Sequence, residues 1–202
     1  MRKHPALTVL LVRHAEPVAP GTAGFDEFTR PLTAKGMRDA EELGDTLAAT
    51  SIVAAYSSPY IRARQTIEPI ASARGLSIKT IEDLRERLLS PVDIADWRAH
   101  LRRSWEDFDY APAGGESGRV AQARVMRVME TIASTHRSGT VIVASHGNLI
   151  ALALHAIMPK VDYEFWESIA MPAVFAVIRE GSGWRVEERV ASVQLKKKQP
   201  NP

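Results

Sequence analysis

The residues best equipped for chemistry stand at the ends of three apolar runs. Leu7 to Val12 stops abruptly at Arg13-His14-Ala15-Glu16. Ile52 to Tyr56 closes on Ser57-Ser58-Pro59, with Arg62 one turn further on, and Thr140 to Ala144 runs into Ser145-His146-Gly147-Asn148. Guanidinium groups able to bind in two-pronged fashion, set beside imidazoles and without an acidic ligand set, suit a phosphate-like oxyanion. A helix beginning near Asn148 would add free backbone N–H groups and the positive end of its dipole. Taken singly each residue is ordinary: an arginine on a helix is most often a solvated charge, and a histidine such as His146 is often a core residue bonded to backbone. Their joint occurrence at three run ends is the signal.

These residues need a frame that brings the three ends together. Leu7–Val12 is rich in branched apolar side chains and lacks the alternation of a half-wet strand, so it reads as a strand buried on both faces, as in parallel sheets. In open α/β sheets ligands bind at the carboxyl edge of the strands. If the three runs are parallel, one edge holds both histidines and both arginines.

The stretches between the runs read mostly as helices. Thr33 caps a helix over about 34–49, with Met37, Ala40, Leu43, Leu47 and Ala48 as its apolar stripe. The preceding loop, 17–30, has Phe25 and Phe28 as anchors. A second helix runs from Tyr60 to about Arg74, kinked at Pro69 and ended by Gly75. Residues 76–81 alternate like an edge strand. Ser117 caps a helix whose stripe is Val120, Ala121, Val125, Val128, Met129, Ile132 and Ala133, ending near His136. Another helix covers Leu149–Met158, and Ala173–Ile178 with Trp184–Val190 form a terminal hairpin. The expected fold is α/β: a three-layer sandwich with a mostly parallel central sheet flanked by helices.

Residues 88–115 break the alternation and read as a helical insertion over one end of the sheet. At 202 residues the chain reads as one domain over 1–195, followed by a basic disordered tail, 196–202. The chain has no cysteine, which excludes disulfides and thiolate metal sites. Six histidines occur without an HExxH spacing or a carboxylate cluster, so no metal is expected. No start resembling a signal peptide and no apolar run near the ~20 residues of a bilayer span point to a cytoplasmic protein without a membrane partner. The net charge of +2 is spread among acids, which argues against nucleic acid.

The motifs resemble, in order, those of the histidine phosphatase superfamily, the phosphoglycerate-mutase-like group. They are Val12-Arg13-His14-Ala15-Glu16, Pro31-Leu32-Thr33-Ala34-Lys35-Gly36, Ser57-Ser58-Pro59-Tyr60-Ile61-Arg62-Ala63-Arg64-Gln65-Thr66, Leu84-Arg85-Glu86, Gly114-Gly115-Glu116-Ser117 and Ser145-His146-Gly147. The resemblance implies that neutral His14 is the nucleophile, carrying a transient phosphohistidine, with its other ring nitrogen donating to a backbone carbonyl. Arg13, Arg62, His146 and Gly147 would hold the phosphoryl oxygens. Glu86 would protonate the leaving oxygen and then assist water. Glu82 and Asp83 are its rivals, the Leu-x-Glu spacing favouring Glu86. Glu16 and Glu116 read as orienting or structural. No metal or other cofactor is required; the partners are a small phosphorylated substrate and phosphate, with a homodimer expected only by analogy.

The chain also departs from the family pattern. Ala15 stands where many relatives have Gly, Pro17-Val18-Ala19-Pro20 follows, and Arg87-Leu88-Leu89-Ser90 matches neither the phosphatase nor the mutase continuation. With an insertion shorter than the mutase's, a phosphatase is preferred. A cofactor-dependent mutase and a protein phosphohistidine phosphatase or regulator are the alternatives. Trp97, Arg102 and Tyr110 would contact substrate from the insertion. The competing reading packs the tryptophans onto the core and pairs the arginines with Asp96, Glu106 and Asp107.

Overall fold

A computed structural model describes residues 6–92 and 94–187. The strands are β1 (Leu7–Arg13), β2 (Ile52–Ser57), β3 (Ile78–Thr80), β4 (Gly139–Ser145), β5 (Ala173–Glu180) and β6 (Gly183–Val186). They form one sheet in the order β3-β2-β4-β1-β5-β6. The first four are mutually parallel where they pair, while β5 and β6 run antiparallel. The helices are α1 (Ala34–Thr46), α2 (Ile61–Ser72), α3 (Trp97–Glu106), α4 (Gly118–Thr135), α5 (Gly147–Ile157) and α6 (Tyr163–Ser168). The α/β architecture with a mostly parallel sheet is the expected one.

Both faces of the sheet are covered, which is why β1 and β4 read as continuous apolar runs. Leu7, Val9 and Leu11 of β1 pack with Val141 and Val143 of β4 against α4 and α5. Leu10 and Val12 pack with Ile142 and Ala144 against α1 and α2 on the opposite face. Alternation persists along each strand, but it sorts side chains between two cores rather than between core and water.

The register aligns the strand ends. Arg13 lies opposite Ser145, and Ser57 opposite Ala144. The pairing continues one residue past the strands: His14 N–H donates to the Ser145 carbonyl at 3.1 Å and Ser58 N–H to the Ala144 carbonyl at 2.9 Å. Ser58, His14 and His146 are thereby set in one row at the carboxyl edge.

Local signals hold at the caps. Thr33 Oγ1 accepts from Gly36 N–H at 3.0 Å and Ser117 Oγ from Val120 N–H at 3.3 Å. Gly75 takes φ +63° just past α2, the left-handed turn glycine makes without strain. Gly36 is demanded by packing, since a Cβ there would lie 2.2 Å from the Glu16 carbonyl oxygen. That contact clamps the segment after His14 onto the first turn of α1.

Several expectations are corrected. Phe25 and Phe28 are exposed rather than anchoring the loop, Phe28 resting on the Tyr60 ring at 4.6 Å between centroids. Met37 and Val120 are exposed and Ala48 lies beyond the end of α1, so the helical stripes are narrower than the sequence suggests. α2 ends at Ser72, two residues short of the expected Arg74. The edge strand is only three residues long. The expected tail at 196–202 and the last residues of the expected strand to Val190 lie outside the described residues.

Candidate active site

The site is assembled at the carboxyl ends of β1, β2 and β4 and the start of α5. His14 and His146 are both buried, their ring centroids 5.1 Å apart in an edge-on arrangement. His14 Nδ1–H donates to the Ala15 carbonyl at 2.7 Å, which fixes the tautomer and leaves Nε2 unprotonated, as the acceptor. Ala15 is itself held, its N–H donating to Thr66 Oγ1 at 2.9 Å while the Thr66 hydroxyl donates to the Arg62 carbonyl at 2.7 Å. α2 thus orients the imidazole through two hydrogen bonds and supplies Arg62, whose Nε lies 3.4 Å from His14 Nε2.

Burial lowers the His14 pKa to about 3; the bond to the Ala15 carbonyl opposes this, and the charges of Arg62, Arg13 and Arg30 reinforce it. The ring is therefore neutral at ordinary pH. His146 is likewise pushed well down, first by burial and then by His14 and the neighbouring arginines. Its Nε2 lies 2.8 Å from Ser58 Oγ. Ser58 Oγ accepts from Tyr60 N–H at 3.3 Å, so its own proton is available for Nε2. That arrangement leaves the His146 Nδ1–H to donate elsewhere.

Among the described residues, His146 Nδ1 and Arg13 Nε have no protein partner although buried. Arg13 Nη1 donates to the Ile169 carbonyl, and the guanidinium lies flat enough on the start of α5 that a Cβ at Gly147 would sit 3.0 Å from Arg13 Cζ and Nε. Glycine is what lets arginine and helix meet.

Glu86 holds the N-terminus of α5. Its Oε2 accepts from Asn148 N–H at 3.1 Å and its Oε1 from Leu149 N–H at 3.0 Å, with Arg87 N–H adding a third bond at 2.9 Å. A carboxylate on the positive end of a helix is well placed electrostatically. The expectation that these N–H groups would face an anion is corrected: two of them are taken by Glu86. Its loop is pinned by Glu116, which binds Arg124 at 2.7 and 2.8 Å, while Arg124 also donates to the Asp83 and Arg85 carbonyls at 2.6 and 2.9 Å. Glu82 and Asp83 turn instead toward Arg85, at 3.9 and 3.6 Å.

The structure thus brings Arg13, His14, Arg62, His146, Gly147 and Glu86 together. It does not bring Arg102 or Tyr110 with them. Arg102 pairs with Glu164 at 2.7 Å and lies over Tyr163; the Tyr110 hydroxyl bonds His100 Nδ1 at 2.5 Å beneath Arg103. The insertion's arginines find these partners instead of Asp96, Glu106 and Asp107. Trp105 packs with Phe108 against His155 on α5, and Trp97 is exposed beside the first loop.

Sequence reading missed Glu27 and Arg30. Glu27 bridges Arg30 and Arg62, and its backbone carbonyl accepts from Arg62 Nη1 at 2.6 Å. A charged pair in a loop of Pro, Gly and Thr carries no periodic signal. Ser57 and Ser58, which close the second apolar run, both bond within the protein through their side chains. Among the described residues no group of three or more His, Asp or Glu is placed to hold a metal, and no helix is long and apolar enough to cross a membrane.

Comparison with known proteins agrees with this geometry. A family model described as histidine phosphatase superfamily (branch 1) matches residues 9–191. The chain is 33% identical over 171 residues to a 2,3-bisphosphoglycerate-dependent phosphoglycerate mutase of Azorhizobium caulinodans, covering 75% of this chain and 83% of the relative. It is 25% identical to an adenosylcobalamin/alpha-ribazole phosphatase of Escherichia coli, covering 84% and 92%. The solved structure of Bacillus stearothermophilus YhfR superposes with a TM-score of 0.72 at 27% identity, covering 93% of this chain and 98% of that one.

Proposed function

The chain belongs to the histidine phosphatase superfamily (branch 1), and we propose that within it this protein is a metal-independent phosphomonoester hydrolase acting on a small phosphorylated metabolite. The observation that carries the proposal is the posture of His14: neutral, tautomer-locked on the Ala15 carbonyl, with Nε2 directed toward Arg62. A neutral imidazole nitrogen beside guanidinium groups is a nucleophile facing an anion-binding surface.

In the proposed reaction His14 Nε2 attacks phosphorus and the ester P–O bond breaks. The leaving oxygen takes a proton from Glu86, which yields the alcohol and a phosphohistidine. Water then attacks phosphorus, giving a proton to Glu86, and the N–P bond breaks to release inorganic phosphate and restore Nε2. Arg13, Arg62 and the His146 Nδ1–H hold the phosphoryl oxygens through both steps, where positioning and charge compensation supply most of the rate. Gly147 contributes by admitting the Arg13 guanidinium.

A mutase reading is favoured by the relatives that bear that name, among them the 33% identical one of Azorhizobium caulinodans and a 32% identical one of Brucella anthropi. Incubation with 3-phosphoglycerate and a bisphosphoglycerate primer separates the two. Release of inorganic phosphate that survives EDTA is the expected result; rapid formation of 2-phosphoglycerate would overturn it.

A further inference from the structure

On the far side of Glu27, which bonds Arg62, lies a cavity of about 420 Å³ that the proposed chemistry leaves without a role. Glu27 and Arg30 of the first loop wall one side; Leu89, Val92, Ile94 and Trp97 wall the other. Glu27 joins the cavity to the reaction centre. Its Oε2 accepts from Arg62 Nη2 and Arg30 Nη2, each at 3.1 Å, and its Oε1 accepts from Arg30 Nε at 2.9 Å. The remaining Arg30 nitrogen, Nη1, donates to the Val18 carbonyl at 2.5 Å.

Every guanidinium nitrogen of Arg30 thus already makes a bond within the protein, and Glu27 is shared between Arg30 and Arg62. Among the described residues lining the cavity, no other side chain is charged. Glu27 itself is 54% exposed, so its carboxylate keeps acceptor capacity toward the cavity. A hydroxyl arriving there finds an acceptor. A carboxylate or second phosphate meets the like charge of the exposed Glu27, with the Arg30 guanidinium buried behind it. The opposite wall is apolar apart from Ser90, whose Oγ accepts from Val92 N–H at 3.2 Å, and presents the half-exposed Trp97.

We propose that this cavity receives the leaving-group half of the substrate and that Glu27 makes it select an uncharged, hydroxyl-bearing alcohol over one with a second anionic group. The proposal rests on the hydrolase reading above and narrows its substrate class.

Glycerol 3-phosphate and 3-phosphoglycerate make a matched pair of probes, differing only in a hydroxymethyl group against a carboxylate. Their affinities are measured by calorimetry on the His14→Ala protein, with and without Glu27→Gln, and their kcat/KM values on protein retaining His14. The expected result is a preference for glycerol 3-phosphate of at least ~10-fold, reduced at least ~5-fold by Glu27→Gln as the like-charge contact disappears. Any change that Glu27→Gln imposes on Arg62 affects both probes, so the ratio isolates the cavity. Should Glu27→Gln fold poorly, Arg30→Gln serves instead: it leaves Glu27 less compensated and is expected to widen the preference. A ratio near one, a preference for 3-phosphoglycerate, no measurable binding of either probe, or a ratio indifferent to the substitutions overturns the proposal. Binding to the His14→Ala protein needs no turnover, so a protein that hydrolyses no ester would defeat the hydrolase reading while the affinity ratio still decided this one.

Discussion

His14 combines the features that make an imidazole a nucleophile with a cost in acid stability. The unfolded chain protonates this histidine near the ordinary value of 6.5, whereas the folded protein resists protonation down to about 3. Between those values the unfolded state binds more protons. The stability contributed is therefore complete above pH 6.5 and falls as pH drops through the window, by up to about 1.4 kcal/mol per pH unit. His146 adds in the same direction. Urea unfolding at about pH 7 and about pH 5 is expected to show His14→Gln losing roughly 2 kcal/mol less than the unsubstituted protein between the two conditions. Equal losses would mean that the imidazole is not held neutral. The identity of this residue was legible in the sequence, because a histidine at the end of a doubly buried strand has few bland explanations once a second one occurs. Its tautomer was expected by resemblance; Thr66 ends the second arginine motif, but its bond to Ala15 N–H, which fixes the acceptor, is a contact across 51 residues that no local pattern announces.

At the scale of elements, α5 is where catalysis and architecture meet. Glu86 fills the role of its capping group, reaching across 62 residues of sequence to Asn148. Glu86→Gln keeps one acceptor oxygen but turns an NH2 toward a backbone N–H and removes the charge, and is expected to cost about 0.5–1 kcal/mol while lowering kcat about 100-fold or more. Glu86→Ala removes the acceptor too and costs about 1 kcal/mol in addition. Denaturant midpoints and turnover measured on the two variants check this; equal stability of both would remove the capping role. No local pattern announces such a contact, because the donor and acceptor meet only after β4 is threaded between β1 and β2. The caps at Thr33 and Ser117, by contrast, were read directly, since their partners lie three residues away. Insertion contacts were misread for the complementary reason. Arg102 finds Glu164 on α6 rather than an acid of its own helix, and spacing along one helix cannot reveal that.

For the whole molecule, the sheet is the device that converts three separated sequence motifs into one site. Its parallel character was legible because β1 and β4 lack polar alternation; its strand order was not, because burial on both faces leaves each strand without a preferred neighbour. The edge so formed presents Arg13, Arg62 and His146 together, and an anion binding there stabilises the fold by mass action. Orthophosphate at about 100 times its Kd is expected to add roughly 2.7 kcal/mol, raising Tm by about 5–10 °C for a chain of this size. Arg62→Ala is expected to abolish most of that shift in thermal scans. A phosphate shift undiminished by the substitution would place the anion elsewhere.

The most direct test of the central claim, that His14 carries the phosphoryl group, is rapid quenching of turnover on a radiolabelled phosphoester followed by peptide mapping. The expected outcome is acid-labile, base-stable label on the peptide containing His14, absent from the His14→Ala protein. Steady hydrolysis with no label on that peptide, or label persisting in the variant, would contradict it.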